Sequence, residues 1–302
     1  MRLTLHAVSA DDYPAFQQAM LANLRASRLG DQRFTVSGLS IADADTLLPE
    51  LLGTLDRPRT SRDIEDWLAA RFGQRRQGIW WALRTFAPVH HAPTGKPWSF
   101  GPRAAYVAAG TQLAPDRVDE SVRWLVRRYL EAFGPATVAD IAQFSLLQRS
   151  VARAAVNALM GELVAMEGPD GSELFDVAGG LMPKEGIAAP PRLLPMWDSI
   201  LLAYADRSRV IPSEYRRLII RQNGDVLPTL LIDGYVAGVW RPVEGGIEAT
   251  TFQLLADEAW RGLAGEAAAL VAFLADRDPS VYRRYRHWWS VLPSAEVRLL
   301  PA

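Results

Sequence analysis

Apolar residues recur with helical spacing in two stretches of the first half of the chain. Leucines at 47, 48, 51, 52 and 55 predict a helix over 46–55, and apolar residues at 122, 125, 126, 129, 130 and 133 predict another over 121–133. Arg57-Pro58 follows the first stretch and Gly134-Pro135 follows the second, and such residues end helices. Both stretches therefore predict amphipathic helices with one buried face.

The same five-residue pattern, T-x-x-D-I, follows each of these predicted helices. It begins at Thr60 and occurs again 77 positions later at Thr137. A threonine cap followed by an acidic residue in the first turn satisfies the free amides at a helix start. The repeat therefore predicts a second helix in each copy.

Each copy then continues into a third helix and a two-stranded hairpin. The third helices are predicted over 78–86 and 148–163, and turn-rich sequences at 93–97 and 168–171 separate strand-like arms at 89–91, 99–107, 163–166 and 172–177. Three helices and a hairpin predict a winged helix-turn-helix, whose second and third helices form the DNA-reading pair. Winged helices also serve as protein-interaction modules, and this alternative stays open.

The last third of the chain has a different pattern. Strand-like runs rich in Val, Ile, Leu and Thr lie at 216–222, 225–232, 235–241 and 247–254, and the turns between them contain Asn-Gly, Asp-Gly and Gly-Gly. A helix over 257–276 and a packed tail over 288–300 complete the chain. We therefore expect an α+β protein in which tandem winged helix-turn-helix domains, at 46–115 and 116–185, follow a strand and helix segment at 1–45. A β-meander and helix domain is expected at 186–302.

Charge is unevenly distributed along the 302 residues. The chain carries 33 Lys+Arg and 34 Asp+Glu, for a net charge of −1, yet the segments 57–84, 123–153 and 207–221 carry +4, +3 and +4. A polyanion can bind one face of such a protein, although solvated helix faces give the same pattern. The absence of cysteine excludes disulfides and thiolate metal sites. No apolar run has the length of a membrane span, and we expect a cytoplasmic protein.

The third helix of the second copy is the main candidate for reading DNA. Its core face is assigned to the apolar residues Val151, Ala154, Ala155, Ala158 and Leu159. The opposite face then carries Arg149, Arg153 and Asn157, and Gln148 lies at the helix start, where recognition helices approach base edges. A solvated arginine stripe is the alternative. The predicted DNA-binding residues are Arg75, Arg76, Arg84, Lys96, Gln148, Arg149, Arg153, Arg207 and Arg209.

Other chemistries have weaker support in the sequence. His90 and His91 are adjacent, so on a strand they point to opposite faces and do not readily share a metal ion. Asp198 and Asp206 could form an acid–base pair, but a structural hydrogen-bond acceptor is favoured for Asp198. The pairs at 80–81 and 288–289 are tryptophans that could stack on bases, although core packing is the commoner role. We expect no metal and no cofactor, identify no catalytic residue, and favour a monomer.

Stretches along nearly the whole chain resemble one protein family. They read MRLTLH at 1–6, DDY at 11–13, YLEAFGPAT at 129–137, ELFDV at 173–177, LLPMWD at 193–198, DRSRV at 206–210 and LLIDGYVAGVWR at 230–241. In this order they resemble the winged-helix DNA-binding proteins that include the AlkZ-like and YcaQ-like DNA glycosylases. The resemblance implies tandem winged helices around a basic concave surface that grips duplex DNA. For characterised members it also implies excision of bulky alkylated bases or unhooking of crosslinks.

One motif of that family has no counterpart in this sequence. The family glycosylases carry Gln–apolar–Gln or Gln–apolar–Asp before the region that resembles Met1 onward, and no glutamine here is followed two positions later by Gln or Asp. No catalytic residue is therefore carried over. We expect a protein that binds duplex DNA without excising bases. The alternative is a DNA glycosylase, active in DNA repair, whose catalytic segment lies upstream of Met1.

Overall fold

A computed structural model describes residues 6–94, 103–111, 114–181, 183–184, 186–276 and 286–301. The chain divides into two units, Met1–Ala178 and Gly179–Ala302. Each unit has its own hydrophobic core.

Over its described residues, the first unit consists mainly of helices, with two small antiparallel sheets. In chain order its elements are α1 (Tyr13–Leu29), α2 (Gln32–Thr35), α3 (Ile41–Gly53), β1 (Arg59–Thr60), α4 (Ser61–Phe72), α5 (Ile79–Phe86), β2 (Val89–Ala92), β3 (Ala105–Ala108), α6 (Val118–Phe133), α7 (Val138–Ser145), α8 (Arg149–Ala158), β4 (Leu163–Glu167) and β5 (Glu173–Val177).

Helix α1 packs against both α5 and α6 and buries Leu24 in the core of the first unit. It also buries two adjacent glutamines. The Nε2 of Gln17 donates to the carbonyl oxygen of Phe86 at 2.6 Å, and the Oε1 of Gln18 accepts from the backbone N–H of Ala114 at 3.0 Å. Buried amides are costly unless their hydrogen bonds are made, so these two contacts fix the position of α1.

A third amide of α1 contacts the turn between α7 and α8. The Nδ2 of Asn23 donates to the carbonyl oxygen of Leu146 at 2.7 Å. Leu146 has a φ of +58°, in the left-handed region that residues other than glycine rarely adopt. The hydrogen bond therefore supports the turn that leads into α8.

Both T-x-x-D-I patterns form the predicted caps. The hydroxyl of Thr60 accepts from the N–H of Asp63, whose carboxylate accepts from the N–H of Thr60. Thr137 and Asp140 make the same reciprocal pair. Each capping box satisfies amides that the first helical turn leaves without partners, and it fixes the starts of α4 and α7.

Two predicted helix boundaries differ from the structure by five residues. The helix predicted over 46–55 is α3, which begins at Ile41 because Ser40 and Asp43 form another capping box. The helix predicted over 148–163 is α8, which ends at Ala158 because Leu163 already pairs with Val177 in a hairpin.

The predicted hairpin arms pair as antiparallel strands. The strand β3 lies between β1 and β2, and β4 pairs with β5. The contribution of β1 was not predicted. Phe175 of β5 also exchanges two backbone hydrogen bonds of 2.9 Å with Ala136, which joins the second hairpin to the start of α7. The tip of the first hairpin, with Lys96, lies outside the described residues.

The second unit is a five-stranded antiparallel sheet with helices. Its elements are β6 (Arg192–Leu194), α9 (Arg216–Ile219), β7 (Thr229–Ile232), β8 (Tyr235–Val243), β9 (Gly246–Thr251), α10 (Asp257–Leu274), α11 (Arg286–Trp289) and β10 (Glu296–Leu300). The strand order is β10-β9-β8-β7-β6. Trp260 and Leu263 of α10 pack in one core cluster with Leu230 and Trp240 of the sheet.

The strand predicted over 216–222 is wrong. Residues 216–219 form α9, where the N–H of Ile220 donates to the carbonyl oxygen of Arg216 at 2.8 Å. A short apolar run does not distinguish a buried strand from a buried helix, which explains the error. The packed tail proved to contain the edge strand β10, and β6 was not predicted. The other predicted strands and the helix over 257–276 are confirmed as β7, β8, β9 and α10, with shifted ends.

Gly78, just before α5, lets α2 lie against that helix. Its φ is +84°, and a Cβ at this position would lie 1.7 Å from the carbonyl oxygen of Arg33. The neighbour is backbone, so it cannot move aside as a flexible side chain could. The contact between α2 and α5 therefore requires glycine at this position.

We predict that Gly78→Ala lowers the free energy of unfolding by about 2–4 kcal/mol, because it adds a positive-φ penalty to a backbone clash. Gly53→Ala is the matched control, since Gly53 ends α3 and an added Cβ there meets nothing within 4 Å. Alanine at Gly53 should be neutral or stabilising by up to about 1 kcal/mol. Urea unfolding measures both variants, and equal stability would contradict the close-approach argument.

Candidate nucleic-acid interface

The helix α8 presents a mixed polar and small apolar face to solvent. Its buried residues are Ala152, Ala155 and Val156, and Leu159 follows them in the core. The predicted core face was therefore displaced by one residue, or about 100° around the helix. Because alanines and a valine occur on both faces of the helix, the sequence alone does not distinguish the two possible core faces.

Three residues that had been assigned to the core are instead exposed to solvent. Val151 is 38% exposed, and Ala154 and Ala158 are exposed as well. Arg149, Arg153 and Asn157 are exposed as predicted. The outer face of α8 thus combines hydrogen-bond donors with methyl groups.

The two arginines of α8 have different surroundings. Nη1 of Arg153 lies 2.9 Å from Oε2 of Glu173 on β5, and its guanidinium carbon lies 5.8 Å from the centroid of the Phe175 ring. The hairpin therefore holds this side chain in place. Arg149 has no ion pair among the described residues.

The other predicted contacts of the first unit have different surroundings. Arg75 forms an ion pair with Asp66, while Nη1 of Arg76 donates a hydrogen bond of 3.1 Å to the carbonyl oxygen of Ser37. Arg84 is exposed on α5. Arg76 therefore contributes to the fold, whereas Arg84 faces solvent.

In the second unit, Arg207 and Arg209 lie around one tyrosine. Nη1 of Arg207 donates to the carbonyl oxygen of Tyr204, and the guanidinium carbon of Arg209 lies 3.9 Å from the centroid of the Tyr204 ring. Arg207 also lines a cavity of about 440 Å³ with Arg216 and Arg217.

The residues considered for other chemistry have structural contacts. Asp198 accepts from the N–H of Ile200 at 3.0 Å, and Asp206 accepts from the N–H of Ser208 at 2.9 Å, so each starts a short helical turn. Trp80 is buried in the core. Over the described ranges, no group of three His, Asp or Glu side chains is placed to hold a metal ion. No helix in that part of the chain is long and apolar enough to cross a membrane.

Sequence reasoning missed a cluster of charged side chains around Trp81. The guanidinium carbons of Arg28 and Arg33 lie 4.3 Å and 3.8 Å from the centroid of its ring. Asp31 accepts from Nε and Nη2 of Arg33 at 2.9 Å and 2.8 Å. Burial, together with the charges of Arg33 and Arg84, lowers the pKa of Arg28. No local pattern signals this cluster, because its members come from α1, α2 and α5.

Comparison with known proteins gives consistent matches. The sequence model of a family described as DNA glycosylase AlkZ-like matches residues 1–273. The interstrand DNA cross-link repair glycosylase of Streptomyces sahachiroi is 27% identical in an alignment of 273 residues that covers 83% of this chain and 71% of that protein. The solved structure of Streptomyces sahachiroi DNA glycosylase AlkZ matches with a TM-score of 0.68 and 22% identity, over 86% of this chain and 74% of the other. The structural match shows a shared mixed α/β fold.

Proposed function

The chain belongs to the AlkZ-like DNA glycosylase family, and from this premise we propose that it binds duplex DNA and cleaves the N-glycosidic bond of damaged bases. The family match over residues 1–273 is the observation that carries the proposal. It favours the glycosylase alternative over binding without excision. The relative from Streptomyces sahachiroi is named for repair of interstrand crosslinks, so bulky alkylated or crosslinked bases are the proposed substrate class.

Two winged helix-turn-helix domains, at 46–115 and 116–185, are the architecture that we propose for DNA binding. The helix pair of the first domain is α4 and α5, and its wing is β2 with β3. The helix pair of the second is α7 and α8, and its wing is β4 with β5. The matching capping boxes at the starts of α4 and α7, each followed by a helix and a hairpin, support this assignment.

In this proposal α8 is the recognition helix. Gln148 and Arg149 lie at its N-terminus, where such helices approach base edges. Arg153, held by Glu173, offers a fixed guanidinium. Exposed Val151 supplies the apolar contact that recognises the methyl group of thymine.

The remaining predicted contacts are proposed to bind phosphates. Arg84, Lys96, Arg207 and Arg209 would add sequence-independent affinity. Phosphate contacts by Arg75 and Arg76 remain predictions. DNA would have to compete with Asp66 for Arg75 and with the carbonyl oxygen of Ser37 for Arg76.

The proposed reaction breaks the bond between the sugar C1′ and the base and adds water at C1′. For a base that is not crosslinked, extrusion from the stack exposes this bond. Alkylation at N7 of guanine places a positive charge on the base, so the departing base leaves as a neutral molecule. A positioned acceptor that takes a proton from the attacking water is the remaining requirement, and no residue is assigned to that role.

We predict that the chain releases base from duplex DNA carrying N7-alkylguanine faster than the spontaneous rate. Release is measured by strand cleavage at the abasic site, with undamaged duplex as the control substrate. A rate equal to that without protein, in a sample that retards the same duplex, would contradict the glycosylase activity and leave DNA binding intact.

We predict that Arg149→Ala and Arg153→Ala weaken duplex binding while the melting temperature barely changes. An arginine that reads a base contributes roughly 1–3 kcal/mol, and exposed substitutions change stability by no more than about 0.5 kcal/mol. Arg117→Ala is the control, because Arg117 is an exposed arginine of the same unit that lies outside α8 and is not among the predicted DNA contacts. If both variants are folded and bind duplex DNA with the same affinity as the control, α8 is not part of the DNA-binding surface.

A further inference from the structure

The cluster around Trp81 carries more positive charge than its acidic partner neutralises. Three arginines, Arg28, Arg33 and Arg84, lie close enough for the charges of the other two to lower the pKa of Arg28, after the larger effect of burial. Asp31 is the acidic side chain that acts on Arg28. Both its oxygens accept from Arg33. Among the described residues, neither Arg28 nor Arg84 has a salt bridge, so two positive charges remain unneutralised.

The position of Arg28 is fixed although its hydrogen bonds are incomplete. Its guanidinium carbon stacks 4.3 Å from the centroid of Trp81, and its buried Nε has no hydrogen-bond partner among the described residues. A buried donor without a partner is unusual in a folded protein, and a bound ligand or a water molecule can complete its hydrogen bonds. The contact with the Trp81 ring limits the orientations of the planar guanidinium, which favours bidentate contact with a tetrahedral oxyanion.

The surrounding backbone is also fixed. The close approach at Gly78 holds Arg33 against the start of α5, and Trp81 and Arg84 are one helical turn apart on that helix. Arg28 lies in the last turn of α1. The backbone positions of the arginines are therefore fixed, and the Arg28 side chain is preorganised by Trp81, which lowers the entropy lost when an anion binds.

We propose that Arg28, oriented by Trp81, and the exposed Arg84 together form a binding site for one backbone phosphate of duplex DNA. This inference rests on the proposed function, because DNA supplies the phosphate. Arg33 serves as a positioning residue, since Asp31 already occupies its guanidinium. A purely structural stack between α1 and α5 is the competing explanation.

The test measures how duplex binding depends on salt for the wild-type chain, Arg28→Gln, Arg84→Gln and the double variant. Each phosphate contact contributes about −0.9 to the slope of log K against log salt. We expect the double variant to reduce the magnitude of the slope by about 0.9, because the two arginines bind the same phosphate. Each single variant should reduce it by no more than that, since the remaining arginine still contacts the phosphate.

Arg25→Gln is the matched control on α1, because it removes the same charge from a guanidinium that Asp45 already holds at 2.6 Å. Its slope should equal that of the wild type. Melting temperatures establish that each variant is folded, and exposed Arg84 gives a second variant in case Arg28→Gln lowers stability.

Different failures are distinguishable in this experiment. An unchanged slope in the double variant, with or without a lower melting temperature, would overturn the phosphate site and favour a structural stack. A double variant whose slope decreases in magnitude by about 1.8 would contradict the proposal that the two arginines share one phosphate. A wild-type chain that does not bind duplex at low salt would overturn the proposed function itself.

Discussion

The arrangement of the first unit depends on three amide side chains of α1. Gln17, Gln18 and Asn23 make hydrogen bonds to the backbone at the end of α5, just before α6, and at the turn into α8. A buried amide that loses its partner costs about 1–3 kcal/mol, so each bond excludes positions of α1 that hydrophobic packing alone would allow. Apolar contacts supply most of the stability, whereas these bonds specify the arrangement.

The proposed DNA contacts follow from that arrangement at two separate places. Asn23 supports the left-handed turn at Leu146, which sets the direction of α8, and the Arg153–Glu173 pair joins that helix to the second hairpin. At the end of α1, Arg28 reaches Trp81 on α5. A shift of α1 would therefore move both α8, the proposed recognition helix, and the arginine cluster.

Local patterns explain what could be predicted from the sequence. The capping boxes at Thr60 and Thr137 use residues three positions apart, so the starts of α4 and α7 were correct. The core face of α8 was wrong by one residue because small apolar residues occupy both faces, and only packing against α6 and α7 decides between them. The Trp81 cluster could not be predicted, because it joins residues on three helices.

Amide hydrogen exchange with and without duplex DNA tests most directly whether the first unit binds DNA through α8. The amides at the start of α8 lack intrahelical acceptors, and the Gln148 side chain makes no capping hydrogen bond among the described residues. They should exchange rapidly in the protein alone and markedly more slowly with saturating duplex. The start of α3, capped by Ser40, provides an internal reference that should not change. Unchanged exchange at the start of α8, under conditions where the protein is bound to duplex, would contradict the account.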